Sequence, residues 1–377
     1  MKLASFSTAP DSVAALRAII PRITARAAAA DKGETTLSAD IDDLHNAGLL
    51  QAPLSVALGG CGLCWQAGAV ADGVDVLRLL GRANLAVARL FEGHVNAVKL
   101  VMLYGEPDTQ ACIARALRGG ALMGVWGADG ARPVTFRIDA DRVLLDGQKR
   151  FASGLGLVSL AVLSGKTADG ATRLVVAPAD DPSRCDATPW QVSGMRATAS
   201  GDFDASGLTL AHTAILGGPD EYHREPHFHG GVWRYAAAQL GGFEALVEEM
   251  RSTLAAQNRL SDPHQAARFA RGVMACETAR LWVGKAAQAV EMPGARASTA
   301  TQSVLARLVV EHAATETMAE MDRALGTVSF FAGHPVERIR RDLSFYLRQA
   351  APDAALHRAA MALADHDSPV GDFWATN

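Results

Sequence analysis

Three segments that follow one another along the chain indicate its fold. Residues 147–154 read Gly-Gln-Lys-Arg-Phe-Ala-Ser-Gly, residues 194–202 read Gly-Met-Arg-Ala-Thr-Ala-Ser-Gly-Asp, and residues 333–342 read Gly-His-Pro-Val-Glu-Arg-Ile-Arg-Arg-Asp. No single segment is a specific motif. Their order and spacing, together with the pattern around them, predict both an architecture and the place of a functional site.

The sequence around the first two segments changes from a helical to a β pattern. Up to about residue 118, apolar residues recur at helical spacing, and helices are expected over 12–28, 74–90 and 92–104. Short apolar and alternating runs separated by Gly, Asp and Pro then continue to about residue 217, the last of them over 203–210. This stretch predicts a compact β-barrel or sandwich.

Long helical patterns return after residue 217. Apolar stripes over 240–254, 264–290 and 298–325 predict three helices in series, with room for a fourth after Pro335. The predicted fold class is therefore α+β and mainly α. It has an N-terminal helical domain (1–118), a middle β-barrel domain (119–217) and a C-terminal four-helix bundle (218–377).

This layout and the three segments resemble the acyl-CoA dehydrogenase family of flavoproteins over nearly the whole chain. The 194–202 segment is most similar to divergent branches of the family, which include nitroalkane oxidase and flavin-dependent monooxygenases of aromatic and sulfur heterocycles. The resemblance implies FAD as cofactor and a homo-oligomer, with a tetramer expected as in the family.

The resemblance also implies cofactor-binding residues. Phe151 and Ser153 match the family's aromatic residue and hydroxyl beside the flavin, where a hydrogen bond near N5 tunes the ring. The loop at Trp126, Gly127 and Ala128 occupies the place of a family loop whose backbone meets the flavin, although it lacks the usual Thr-Glu and Ser-Asp pairs. Two further candidates near the cofactor phosphates are Arg259, whose family counterpart reaches a neighbouring subunit's FAD, and Gly326.

The usual catalytic carboxylate of the family is absent from its expected position. It lies eight residues after the Arg-Asp pair, and counting from Asp342 leads to Ala350. A base is needed there because the substrate α-proton is only weakly acidic. Asp353 is a candidate for a displaced base. The alternatives are a base on another helix or a reaction without α-proton abstraction.

Composition excludes several other classes of function. The net charge is −4 without a long basic run, so neither nucleic acid nor a membrane surface is an expected partner. Five scattered cysteines fit a reducing, cytoplasmic setting. No metal site is expected, because the Cys61–Cys64 pair has no second pair, and the histidines between residues 223 and 229 fit a solvated loop.

The leading hypothesis is an FAD-dependent oxidoreductase that oxidises an acyl thioester, on CoA or a carrier protein, and passes electrons to an external acceptor. A second hypothesis is a flavin-dependent monooxygenase on the same fold, supplied with reduced flavin by a partner reductase. This reaction needs no α-proton base. A third hypothesis is a non-catalytic homologue that has kept the fold, since fold alone does not determine chemistry.

Overall fold

The first part of the chain is helical, as the apolar spacing predicts. The computed structural model describes residues 11–349 and 351–374. The helices before the sheet are α1 (Ser12–Asp31), α2 (Ser38–Asn46), α3 (Val70–Ala83), α4 (Leu85–Tyr104) and α5 (Pro107–Arg118). The Asp11 side chain caps α1 by accepting hydrogen bonds from the backbone N–H groups of Val13 and Ala14, both at 3.0 Å.

The prediction of one helix over 74–90 is wrong, because Asn84 separates α3 from α4. Asn84 has extended backbone angles, with φ −160° and ψ 112°. Its side-chain oxygen accepts a hydrogen bond from the Ala86 N–H at 2.9 Å. Asparagine in this conformation starts a new helix, and the sequence carried this N-cap signal inside an otherwise continuous apolar pattern.

The middle of the chain forms two sheets. The strands are β1 (Leu122–Trp126), β2 (Thr135–Ile138), β3 (Arg142–Asp146), β4 (Gln148–Lys149), β5 (Val158–Lys166), β6 (Thr172–Pro178), β7 (Cys185–Asp186), β8 (Asp202–Asp204), β9 (Thr209–Ala211) and β10 (Ile215–Leu216). Seven strands pair in the order β10-β6-β5-β2-β3-β9, with β1 parallel to β5. The other three pair in the order β4-β8-β7. The larger sheet curls into a half-barrel.

The expectation of one continuous strand segment over 203–210 is also wrong. A turn at Ser206 and Gly207 divides it, with Gly207 at φ +76°. The Asp204 carboxylate accepts a hydrogen bond from the Ser206 N–H at 3.0 Å and supports the turn. As a result β8 joins the small sheet and β9 joins the large one.

Helices return after the sheets and pack on the first helical region. They are α6 (Trp233–Ala256), α7 (Pro263–Glu291), α8 (Thr299–Leu325), α9 (Pro335–Tyr346) and α10 (Pro352–Ala364). Glycines bring α3 and α6 into backbone contact, since a Cβ at Gly81 would lie 2.0 Å from the Ala238 carbonyl oxygen. One at Gly241 would lie equally close to that of Arg78. Only glycine fits at such an approach.

The predicted fold class is confirmed: two helical regions enclose a middle β region. The expected fourth helix of the bundle is divided into α9 and α10. The division at residues 118 and 217 stays a prediction. Within residues 11–349 and 351–374, no helix has the length and hydropathy needed to cross a lipid bilayer.

Candidate functional site

The three segments that indicated the fold meet at one place. The first two run side by side through backbone hydrogen bonds: the Ala152 N–H donates to the Gly201 carbonyl at 2.9 Å, and the Gly154 N–H donates to the Thr198 carbonyl at 2.8 Å. Phe151 adopts a left-handed backbone conformation, with φ 55°, at the start of this pairing. Because neighbouring backbone groups fix the segments, the side chains between them have defined directions.

The third segment contacts the second through α9. The Met195 N–H donates to the Asp342 carboxylate at 2.7 Å, and the Arg341 guanidinium donates to the Ser193 carbonyl at 2.6 Å. Gly194 allows this approach, because a Cβ there would lie 2.3 Å from the Arg341 carbonyl oxygen. Burial raises the pKa of Asp342 to about 6, although the Met195 N–H and the nearby arginines oppose this shift.

A cavity of about 690 Å³, which we call the cleft, opens between the first two segments and the end of α9, just after the third segment. Five of the predicted cofactor-binding residues line it: Trp126, Gly127, Ala128, Phe151 and Ser153. The other lining residues are Arg89, Val125, Arg150, Trp190, Met195, Thr198, Ser200, Tyr222, Phe345, Tyr346, Arg348 and Gln349. Among the described residues, no carboxylate lines the cleft.

One wall of the cleft is aromatic. The ring of Trp190 contacts those of Phe151 and Phe345 edge-on, with centroid separations of 6.5 and 5.5 Å. Phe151 is 54% exposed, and the Arg150 guanidinium lies 4.2 Å from the centre of its ring. An exposed aromatic side chain in a concave site offers a flat apolar surface for a ligand.

Hydroxyl groups form a second feature of the cleft. The Ser200 hydroxyl donates to the Ser153 hydroxyl at 3.1 Å and lies 2.9 Å from that of Thr198. Thr198 and Ser200 are buried, whereas Ser153 is only half-buried. Since Ser153 accepts from Ser200, its own proton is available to an acceptor in the cleft.

A buried lysine supports the loop at Trp126–Ala128. The Lys149 side chain is fully buried, and its Nζ donates to the Asp129 carboxylate at 2.6 Å and to the Gly127 carbonyl at 3.1 Å. Burial lowers the pKa of Lys149, and the Asp129 carboxylate opposes that shift. Trp126 is held by its own Nε1, which donates to the Ser153 carbonyl at 3.2 Å.

The structure adds residues that the sequence analysis did not identify as site residues. The Tyr346 hydroxyl is buried and has no hydrogen-bond partner among the described residues. Tyr346 follows Asp342 by four residues and so lies on the same face of α9, which was an available signal. The Arg89 guanidinium donates to the Glu92 carboxylate at 2.8 Å and brings a half-buried cation to the cleft.

Glu92 and His94, which lie two residues apart on α4, are both buried. The His94 ring contacts the Leu50 carbonyl through Nε2 at 2.8 Å and accepts from the Met123 N–H through Nδ1 at 3.0 Å. Burial lowers its pKa to about 4. His94 therefore joins α4 to β1 as a neutral ring.

Three predicted site residues lie outside the cleft lining. Arg259 lies in the turn between α6 and α7, where its guanidinium donates to the Gln257 side chain at 3.1 Å. Gly326 follows α8 with φ +64°. Asp353 is exposed in the first turn of α10. Ala350, the expected position of the family carboxylate, lies outside the described residues.

A metal centre was not expected from the sequence. In the described part of the chain, no group of three or more His, Cys, Asp or Glu side chains is placed to hold a metal ion. The Cys64 thiol is buried, and burial raises its pKa far above the ordinary value.

No protein-family profile matches the sequence. Dibenzothiophene monooxygenase from Rhodococcus qingshengii is 25% identical over 228 residues, which is 56% of this chain and 52% of that protein. The chain thus spans about half the length of the curated relatives it matches.

Solved structures match over almost the whole chain. FMN-bound TdsC from Paenibacillus sp. A11-2 has a TM-score of 0.81 at 18% identity, covering 97% of this chain and 100% of that one. Methanesulfinate monooxygenase MsuC from Pseudomonas fluorescens has a TM-score of 0.81 at 20% identity, covering 98% and 100%. The chain has the acyl-CoA dehydrogenase-like fold.

Proposed function

We propose that this protein is a flavin-dependent monooxygenase that receives reduced flavin from a partner reductase. In this reaction one atom of dioxygen enters the substrate and the other leaves as water, with two electrons and two protons supplied by the reduced flavin. The monooxygenase names of the sequence relative and of the structural neighbour MsuC support this assignment, and so does a further TdsC structure that is named dibenzothiophene monooxygenase.

The observation that carries the proposal is the lining of the cleft. Ordinary acyl-thioester dehydrogenation needs a base beside the α-carbon, and a carboxylate fills this role because the proton is only weakly acidic. Among the described residues the cleft has no carboxylate, and Asp353 is exposed on α10. Oxygen transfer needs no such base. The acyl-thioester hypothesis is therefore the less supported of the two.

The residues present fit a flavin. Phe151 and Trp190 supply a flat apolar wall, and the Ser153 hydroxyl has a free proton for the polar edge of a ring. Gly127 and Ala128 let the backbone approach closely, and Lys149 holds their loop in place. When bound in its reduced form, a flavin supplies the two electrons that activate dioxygen.

The protein's own groups would position the substrate and control protons. The aromatic wall and buried residues exclude water from one side of the cleft, which lowers the local dielectric constant. The Tyr346 hydroxyl, without a described partner, can donate a hydrogen bond to a bound ligand. Burial holds the pKa of Tyr346 well above its ordinary value, so it stays protonated and remains a donor.

FMN and FAD would contact different residues of this protein. FMN ends in one phosphate, whereas FAD extends further and would use Arg259 and Gly326 if these reach a neighbouring subunit's cofactor. The FMN in the TdsC structure supports the shorter cofactor. We propose FMN as the principal cofactor of a homo-oligomer, in which Arg259 and Gly326 would contact the cofactor only if FAD were bound instead.

One experiment separates the hypotheses. The purified chain is mixed with chemically reduced FMN, dioxygen and a panel containing indole, dibenzothiophene and methanesulfinate, and ¹⁸O incorporation from ¹⁸O₂ is measured by mass spectrometry. Under anaerobic conditions the FMN-loaded and FAD-loaded chains are also mixed with acyl-CoAs, and flavin absorbance is followed. We expect ¹⁸O in at least one product and no loss of flavin absorbance with acyl-CoA.

Two results would contradict the monooxygenase assignment. Rapid loss of flavin absorbance with acyl-CoA under anaerobic conditions would restore the dehydrogenase hypothesis. Absence of binding for both FMN and FAD would leave the non-catalytic homologue.

A further inference from the structure

A second cavity adjoins the cleft and has a different chemical character. It has a volume of about 140 Å³ and shares two lining residues with the cleft, Val125 and Tyr222. Its remaining walls come mainly from α4, α6 and the loop before α6, including Lys99, His227 and Arg234. We call it the Lys99 chamber.

Two buried cations, Lys99 and Arg234, line the Lys99 chamber, and both pair with the buried carboxylate of Glu291. Lys99, Arg234 and Glu291 are 4%, 1% and 7% exposed. The Lys99 Nζ donates to both carboxylate oxygens of Glu291, at 2.9 and 2.6 Å, and Arg234 donates to the same carboxylate. Two cations thus share one anion while Lys99 is protonated, and the cluster then has an excess positive charge.

Glu291 cannot balance both cations. Its carboxylate accepts a further hydrogen bond from the Trp233 indole N–H at 3.1 Å, in addition to those from Lys99 and Arg234. Burial alone would raise its pKa, but the charges of Arg234 and Lys99 outweigh that effect and lower it. Glu291 is therefore a fixed anion. A buried excess charge is costly, and it is most readily compensated by an anion bound beside it.

Two neutral groups complete the polar wall. The buried Nδ1 of His227 has no hydrogen-bond partner among the described residues. Burial, together with the nearby charge of Lys99, lowers the pKa of His227, so the ring is neutral at pH 7 and can donate through one nitrogen. Asn96 also lines the chamber, although its amide N–H₂ donates to Glu92.

We propose that the Lys99 chamber binds a small organic oxyanion, a carboxylate or a sulfinate, and thereby anchors the substrate. The remainder of the substrate would pass Val125 and Tyr222 into the cleft, where Phe151 and Ser153 lie. Calling this anion a substrate depends on the proposed monooxygenase function, whereas the binding of the anion does not.

The size of the chamber limits its occupant. Its volume of about 140 Å³, against about 690 Å³ for the cleft, favours a group of only a few heavy atoms. Lys99 and Arg234 also disfavour a purely apolar occupant, because binding it would leave their excess positive charge uncompensated. A long acyl group is therefore a poor fit, and a compact anionic group is a good one.

The first test compares anions with neutral molecules of similar shape. Methanesulfinate and acetate are titrated into the purified full chain, with and without FMN, and binding is measured by isothermal titration calorimetry. Dimethyl sulfoxide and acetamide are the neutral counterparts. We expect at least one anion to bind at least ten-fold more tightly than its counterpart, and the comparison of the two anions identifies the preferred head group.

The second test removes the charge of Lys99 or fills the chamber with a larger side chain. Lys99→Met should weaken anion binding by about 10- to 100-fold, because a charge-assisted hydrogen bond is lost. Lys285→Met, an exposed lysine on α7, is the matched control and should leave binding unchanged. If Lys99→Met does not fold, Leu103→Trp fills the chamber without removing a charge and should abolish binding of the anions.

These results separate the inference from the proposed function. Equal binding of anions and neutral counterparts, or full anion binding by Lys99→Met or Leu103→Trp, would overturn the inference and leave a chamber that holds only water. FMN binding to the wild-type chain is measured in parallel by flavin fluorescence. If FMN does not bind, the proposed function is overturned while the anion result stands.

Discussion

The cleft and the Lys99 chamber share Val125 and Tyr222 but are held together by different forces. The cleft is organised mainly by backbone hydrogen bonds between 150–155 and 198–201 and by the hydroxyls of Ser153 and Ser200, with the ionisable side chains of Lys149 and Asp342 supporting it from outside its lining. The chamber is organised by three buried charges. A neutral hydrogen bond contributes about 1 kcal/mol, whereas removal of one partner from a buried ion pair costs about 3–5 kcal/mol. Removing a polar side chain should therefore destabilise the protein more in the chamber than in the cleft.

The largest expected effect is at Glu291. Glu291→Gln leaves Lys99 and Arg234 buried without their common anion, and we expect the free energy of unfolding to fall by about 3–5 kcal/mol. Urea denaturation at neutral pH measures this change. The matched control is Glu277→Gln on the same helix, where the carboxylate is exposed and pairs with Arg280, and where stability should stay close to that of the wild type. An effect at Glu291 as small as that at Glu277 would show that the buried charges beside the chamber do not stabilise the fold.

The second prediction concerns the pH dependence of stability above neutrality. Burial, followed by the charge of Arg234, lowers the pKa of Lys99 from 10.5 to about 7, although Glu291 opposes the shift. Between these values the unfolded chain binds more protons, so the contribution of Lys99 to stability rises with pH, by about 1.4 kcal/mol per pH unit at most. His227 and Cys64, which also face Lys99, are neutral in this range.

Urea denaturation from pH 7 to about 9.5 tests this prediction. The wild type should gain stability relative to Lys99→Met as the pH rises, whereas Lys285→Met should follow the wild type. Parallel profiles for the wild type and Lys99→Met would mean that Lys99 keeps an ordinary pKa and that its chamber is hydrated.

Asp342, beside the cleft, should show the opposite pH dependence at a lower pH. Its pKa is raised from 3.8 to about 6, mainly by burial. Between these values the folded chain binds the extra proton, so the contribution of Asp342 to stability is fully present below about pH 4 and is lost as the pH rises to about 6. Asp342→Asn should flatten the stability profile in this window. An unchanged profile would show that Asp342 stays ionised against Arg338 and Arg341.

The sequence predicted the cleft better than the chamber for a physical reason. Phe151 and Ser153 lie two residues apart in a short segment. The resemblance of that segment to one family segment was enough to predict that both belong to one site. Lys99 and Glu291 are 192 residues apart, and neither belongs to a recognisable motif. Their pairing arises only when α4 and α7 meet, so a local pattern could not reveal it.

The same contrast explains the errors in the fold. Regular apolar spacing identified the long helices and the extent of the β region. It missed the interruptions at Asn84 and at Ser206–Gly207, because each depends on a single side chain or a single positive φ. The surroundings of His227 were missed too, since burial by a distant helix cannot be inferred from a loop containing several histidines.

The smallest predicted effect is in the cleft, at Ser153. The Ser153 hydroxyl accepts from Ser200 and keeps its own proton free. If that proton binds the flavin, Ser153→Ala removes one neutral hydrogen bond, which contributes about 1 kcal/mol and corresponds to a roughly five-fold loss of FMN affinity. Flavin fluorescence measures the affinity, and absorbance reports any change in the environment of the ring. Ser183→Ala, an exposed serine in the turn before β7, is the control and should change neither quantity. An unchanged affinity and spectrum in Ser153→Ala would place the flavin away from this hydroxyl and leave the cleft as a substrate site only.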